Sequence, residues 1–180
     1  MIKEICSGTN STDPAYIFEK IIKSPKNTML GCHHAIMAAG AFITAIKNEG
    51  SFEISENMLN QVYDRTQRQA IGGYCGLTGV CGVVPALGSC FAVILGSKCG
   101  TDKEQKMTMN AVFEIVKIIR DLTGPSCCKA YARKSIEVAQ IFLEKNLNIN
   151  LSKSNEAIIC KHSKAHPHGC RKEKCSYYKE

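Results

Sequence analysis

The stretch TDKEQKMTMNAVFEIVKIIRDLTGP, residues 101–125, decides the fold class. Within it Ala111, Val112, Ile115, Ile118, Ile119 and Leu122 recur at three- and four-residue spacing, which lays one apolar stripe along a helix. Ahead of the stripe, Thr101-Asp102-Lys103-Glu104 has the pattern of a capping box, in which the hydroxyl and the carboxylate each satisfy a free amide of the first turn. Thr123-Gly124-Pro125 ends the helix.

Reading outward, the same punctuation repeats. Ser126 is expected to cap a further helix to about Asn146, with Cys128, Tyr131, Ser135, Val138 and Phe142 facing inward. Toward the N-terminus, Asp13 precedes Pro14, an N-cap residue followed by the one helical position where proline is welcome. That helix carries Ile17, Phe18, Ile21 and Ile22 and is broken by Ser24-Pro25-Lys26-Asn27. Cys32 to Lys47 and Ser55 to Gln69 read as two more helices. No charged residue occurs from Gln69 to Ser97, yet Gly72, Gly73, Gly76, Gly79, Gly82 and Pro85 interrupt that stretch. A buried, glycine-kinked segment with a short helix from Val84 to Leu95 fits better than a membrane span. No alternating run of strand length competes, so the expected fold is all-α. It comprises a bundle of five or six helices over residues 1–150 and a Cys/His-rich metal-binding tail over residues 151–180.

Composition narrows the class. With 180 residues, 44% apolar and 22% charged, the chain is long enough for a real core and is not disordered. Eleven cysteines exceed ordinary usage, and an odd count suits metal ligands or working thiols better than a fully paired disulfide framework. The N-terminal Met1-Ile2-Lys3-Glu4-Ile5-Cys6 shows no export pattern, which points to the reducing cytoplasm. Net charge is +7, but residues 151–180 hold seven basic against three acidic residues, while the other 150 hold 16 against 13. The basic tail thus offers only a weak route to nucleic acid, with Tyr177 and Tyr178 as the sole stacking groups there.

Gly72-Gly73-Tyr74-Cys75-Gly76-Leu77-Thr78-Gly79-Val80-Cys81-Gly82 is the central chemical motif. Its glycines let Cys75 and Cys81 converge on one object, and amides around Gly76, Gly79 and Gly82 can donate to a sulfide, thiolate or phosphate. Cys127-Cys128 follows Ser126 at a helix start, where free amides and the helix dipole are expected to favour thiolates. Cys32-His33-His34 places a ligand and a proton carrier ahead of another helix, with His33 the candidate base. Cys90 and Cys99 fit packing, and Cys6 has no assigned role. In the tail, Cys160, His162, His166, His168, Cys170 and Cys175 fall within sixteen residues too polar to build a core, the pattern of a metal clip, with zinc or a cluster as the metal.

The glycine–cysteine loop, the Cys127-Cys128 pair and the terminal cysteines together resemble a family of uncharacterised cysteine-rich proteins of anaerobic microbes, found alone or fused to methyltransferase-like or radical-enzyme domains. The segment from Gly72 to Cys128 is also similar to putative redox-active proteins with a C, GCAxxG, C, C signature, although Gly-Leu or Gly-Val stands here where that signature has alanine. The resemblance implies a small helical protein with an iron–sulfur or redox-active thiol centre and a redox or methyltransferase-type partner protein. The functional expectation is therefore an iron–sulfur or thiol redox protein in electron or sulfur transfer, with Cys75, Cys81, Cys127 and Cys128 converging. Two alternatives stay open: a zinc-stabilised adaptor contacting nucleic acid or protein, and a cysteine-dependent hydrolase or transferase using His33 or His34 as base.

Overall fold

A computed structural model describes residues 1–24 and 27–180; Pro25 and Lys26, expected to break the first long helix, lie outside the described residues. Among the described residues the chain is helical and has no strand. The elements are α1 (Ile2–Ser7), α2 (Pro14–Ile22), α3 (His33–Glu49), α4 (Glu56–Gln69), α5 (Tyr74–Thr78), α6 (Val83–Leu95), α7 (Asp102–Asp121) and α8 (Cys128–Leu147). Two 3₁₀ turns, Ser163–Ala165 and Lys172–Lys174, follow in the tail. The six expected helices are present; α1 and α5 add two short ones that carry too few residues to show a period. Among the described residues no helix is long and apolar enough to cross a membrane.

The centre is the pair α3 and α6, which pack on each other and on α4 and α8. Each is apolar nearly all round, as a helix enclosed by others must be. Phe42 of α3 meets Phe91 of α6 with ring centroids 5.6 Å apart, and Phe91 meets Phe142 of α8 edge-on at 5.4 Å. Small residues set the spacing. A Cβ on Gly88 would come within 2.8 Å of Val112, so α6 and α7 approach as they do only because that position is glycine. On α7 the stripe from Ala111 to Leu122 does face the core, with Ala111 and Ile115 fully enclosed, while Met109, Phe113 and Val116 are exposed on the outer side.

Two capping expectations are corrected. Thr101 does not cap α7; its hydroxyl donates to the Lys98 carbonyl and accepts from the Lys98 amide, both at 2.8 Å, closing the preceding turn. Helix α8 begins one residue later than expected, with Cys127 at the N-cap, and Ser126 makes no cap bond. By contrast the Asp13 carboxylate accepts from the Ala15 and Tyr16 amides, capping α2 as expected, and its other oxygen accepts from the Ser154 amide at 2.8 Å. That second bond, with Gln140 Nε2 donating to the carbonyls of Leu151 and Ser152, pins the start of the tail to the bundle. Ile149 and Leu151 are buried in the main core, and the rest of the tail lies against the N-terminal half of α8, where the Tyr177 hydroxyl donates to Glu137 at 2.6 Å.

Candidate functional site

Four cysteines from three separate parts of the chain line one cavity of about 270 Å³: Cys32; Cys75 and Cys81, of one loop; and Cys128. Each is delivered by an element boundary. Cys32 is the N-cap of α3, Cys75 lies in α5, Cys81 stands two residues before α6, and Cys128 is the first residue of α8. The α5 loop is drawn over the cavity by the Cys32 thiol, which donates to the Ile71 carbonyl at 2.9 Å. Gly31, whose amide donates to Cys128 Sγ at 3.4 Å, tightens the other side. Gly82 lets the loop close, because a Cβ there would sit 3.0 Å from the Ala70 side chain and 3.1 Å from its backbone. Gly76 and Gly79, expected beside a cofactor, face open space, and the glycines lining the cavity are Gly31, Gly73 and Gly82.

Burial controls the state of these thiols. It pushes Cys81 up to about 12, and it raises Cys32 and Cys128 as well, with neighbouring cysteines adding repulsion at all three. The amides of Gly73, Val83 and Gly31 favour the thiolates of Cys32, Cys81 and Cys128 in turn, but burial outweighs them. The lowered pKa expected for Cys127 and Cys128 is thus corrected: both are raised, because burial exceeds what the helix start supplies. A bound cation is the remaining agent that would hold several such sulfurs deprotonated together.

Beside the cavity lies a buried cation without a carboxylate partner among the described residues. Lys129 is 1% exposed, and its ammonium donates to the carbonyls of Thr28 and Met29 and to His34 Nε2 at 2.9 to 3.0 Å. His34 donates through Nδ1 to the Gly31 carbonyl, and burial with the Lys129 charge pulls it down to about 3, so the ring is neutral. Both ring nitrogens are therefore engaged and neither is free to take a proton from a thiol. His33, the candidate base, has Nε2 3.3 Å from the Thr28 hydroxyl and does not line the cavity.

Cys127 turns to a second, smaller cavity of about 20 Å³, which it lines with Cys160, Cys170 and Cys175 of the tail. Vicinal cysteines thus serve two different clusters. Arg133, His166 and Arg171 border the same space. Of the tail histidines, His166 lies on this small cavity, His168 on the large one, and His162 on neither. Among the described residues no group of three or more His, Cys, Asp or Glu donors is arranged to hold a metal ion as the side chains stand. Elsewhere, Cys90 is fully enclosed in the core and Cys6 is buried in α1 beside Gly40, whereas Cys99 is exposed.

Two side chains beside these cavities escaped the sequence reading, the buried cations Lys129 and Arg171. Cys32, read as a ligand near the cysteine loop, does line the cavity with Cys75 and Cys81. Lysine and arginine in a basic sequence carry no mark of burial at all.

Compared with known proteins, residues 2–178 match a family described as Family of unknown function (DUF5714). No curated protein matches, and no solved structure matches.

Proposed function

We propose, for a chain that belongs to the DUF5714 family over nearly its whole length, an iron–sulfur or redox-thiol protein whose centre is the cavity of Cys32, Cys75, Cys81 and Cys128. The observation that carries this reading is the convergence of four cysteines, up to 96 positions apart in sequence, on one cavity. Incidental buried cysteines scatter through a core, as Cys6 and Cys90 do. Size favours a multi-atom group: about 270 Å³ is far more than the roughly 10–15 Å³ that a single water-sized occupant needs. Four thiolates are the common ligand set of both [2Fe–2S] and [4Fe–4S] clusters. Such a centre is anionic, and the uncompensated Lys129 ammonium nearby supplies opposite charge in a low-dielectric setting.

The surroundings suit transfer to a partner. Cys32, Cys75 and Cys128 are only half-buried, and the loop over the cavity exposes Ile71, Tyr74, Leu77 and Val80, with Leu77 79% accessible. An apolar collar beside a redox centre is a docking surface for the protein that takes up the electron or sulfur. A cysteine hydrolase with the expected base is less well supported, since His33 does not line the cavity and both ring nitrogens of His34 are engaged.

The test is anaerobic purification with iron and acid-labile sulfide analysis and a visible spectrum. Equal iron and sulfide, about two or about four of each per chain, with a broad visible band that bleaches in air, is the expected result. A Cys75→Ser variant that keeps its full iron and sulfide would overturn the site assignment.

A further inference from the structure

The small cavity under the tail stands apart from the cluster reading and has its own chemistry. We propose that Cys127, Cys160, Cys170 and Cys175 form a four-thiolate site for one zinc ion, which clasps the tail to the start of α8, with Arg171 as the adjoining counter-charge. Space decides between an ion and a cluster here: about 20 Å³ is close to the volume of a single small occupant. The four cysteines line the cavity but are not arranged as a metal site as the side chains stand, so binding draws the sulfurs together.

Several independent features point to a bound group. Among the described residues, the buried apolar cluster under the tail is small, Cys127, Ala130 and Tyr177 with a few half-buried neighbours, which is little to hold the tail beyond Leu151 against a helix. Yet the tail backbone is tightly organised around its cysteines. The Cys160 amide donates to the Tyr177 carbonyl at 2.7 Å, which brings the two ends of the tail together. The Lys172 amide donates to Cys170 Sγ at 3.4 Å, with Lys172 in the left-handed region at φ 49°, and the Cys175 amide returns to the Lys172 carbonyl at 2.8 Å. An amide directed at sulfur within so short a turn fixes where that sulfur stands.

Arg171 is the strongest pointer. It is 6% exposed, its Nε donates to the Pro125 carbonyl at 2.7 Å, and its guanidinium lies 5.0 Å from the Tyr131 ring centroid. Both terminal nitrogens are nevertheless buried with no hydrogen-bond partner among the described residues. An uncompensated buried guanidinium is costly, and a zinc ion with four thiolates carries two net negative charges that would answer it. The neighbouring Arg133 is already matched by Glu19, so Arg171 is the cation left over. His166 Nε2 is also without a partner and borders the cavity, which makes it the rival to Cys127 as fourth ligand. We take Cys127 as the fourth ligand because it packs in one buried cluster with Cys160 and Cys175, and four thiolates are a set that structural zinc sites use.

The full chain, purified under reducing conditions, should contain about one zinc, and X-ray absorption at the zinc edge should show sulfur ligands alone at ~2.3 Å. Cys127→Ser, Cys170→Ser and Cys175→Ser should each lower zinc content at least about tenfold, while Cys75→Ser and His166→Ala retain it. A nitrogen in the absorption shell, or loss of zinc in His166→Ala with retention in Cys127→Ser, overturns the four-sulfur assignment. So does loss of iron and sulfide, in place of zinc, from Cys170→Ser. Absorption on the unmodified chain decides the ligand set even if the serine variants do not fold. A chain with zinc but no iron refutes the cluster reading and leaves this site standing, and iron without zinc does the reverse.

Discussion

Removing the charge of Glu19 tests how the tail-bearing helix is bolted to the rest of the bundle. Arg133 on α8 donates from Nε and Nη2 to the two oxygens of Glu19 on α2, at 2.6 and 2.9 Å, across 114 positions of sequence. Arg133 is almost fully enclosed, with its side chain 3% exposed against 18% for Glu19, and its guanidinium also lies 5.0 Å from the Tyr177 ring centroid. At charge separations of ~4 Å and an effective dielectric of ~20, the attraction is on the order of 4 kcal/mol, and stripping one partner from a buried pair costs about 3–5 kcal/mol. Because Glu19 retains some contact with solvent, Glu19→Gln should cost about 2–4 kcal/mol. For a chain of this size that lowers Tm by roughly 5–15 °C. Urea unfolding followed by circular dichroism, at equal metal content, should be run on the native chain, Glu19→Gln, Arg133→Met and the double variant. The double variant should lose less than the two singles combined, by at least about 1.5 kcal/mol. A coupling below about 0.5 kcal/mol would refute the reasoning, since it would mean that Arg133 does not depend on Glu19 for its burial.

The two vicinal cysteines should separate by metal: Cys32→Ser and Cys128→Ser lose iron and sulfide, whereas Cys127→Ser keeps both, as measured on anaerobically purified chains. Gly82→Ala should destabilise by about 1–3 kcal/mol, because its Cβ meets Ala70 at 3.0 Å, while Gly76→Ala, with nothing within 4 Å, should change thermal stability by less than about 1 kcal/mol. In chelator-treated, reduced protein at pH 8, the exposed Cys99 should be the first thiol alkylated. Cys81, pushed up to about 12, then has on the order of one molecule in ten thousand as thiolate. Its labelling, read by peptide mass spectrometry, should lag far behind and rise about tenfold for each pH unit until it nears that value. Rapid labelling of Cys81 at pH 8 would show that its burial is misjudged.

Much of the helical framework was legible in the chain because its signals are local. The Asp13-Pro14 cap and the apolar stripe of α7 each depend on residues within a turn or two of one another. The misreadings arose where a side chain had a nearer competitor. Thr101 found the Lys98 carbonyl before any amide of α7, and Cys127 took the cap position that Ser126 was expected to fill.

By itself the sequence determined the helical class, the two cysteine-rich regions and the loop around Cys75 and Cys81, since period, glycine placement and ligand density are properties of neighbouring residues. Only the tertiary structure decided how eleven cysteines divide. One turn of backbone at the start of α8 sends Cys128 toward Cys32, Cys75 and Cys81, and Cys127 toward Cys160, Cys170 and Cys175. Cys127 is extended at φ −129° and Cys128 is the first helical residue, so the two side chains part there, and which partners they meet depends on what α3, the α5 loop and the tail bring to each side. The buried cations follow the same logic. Lys129 and Arg171 are ordinary basic residues in one dimension, and become counter-charges only where packing has closed over them.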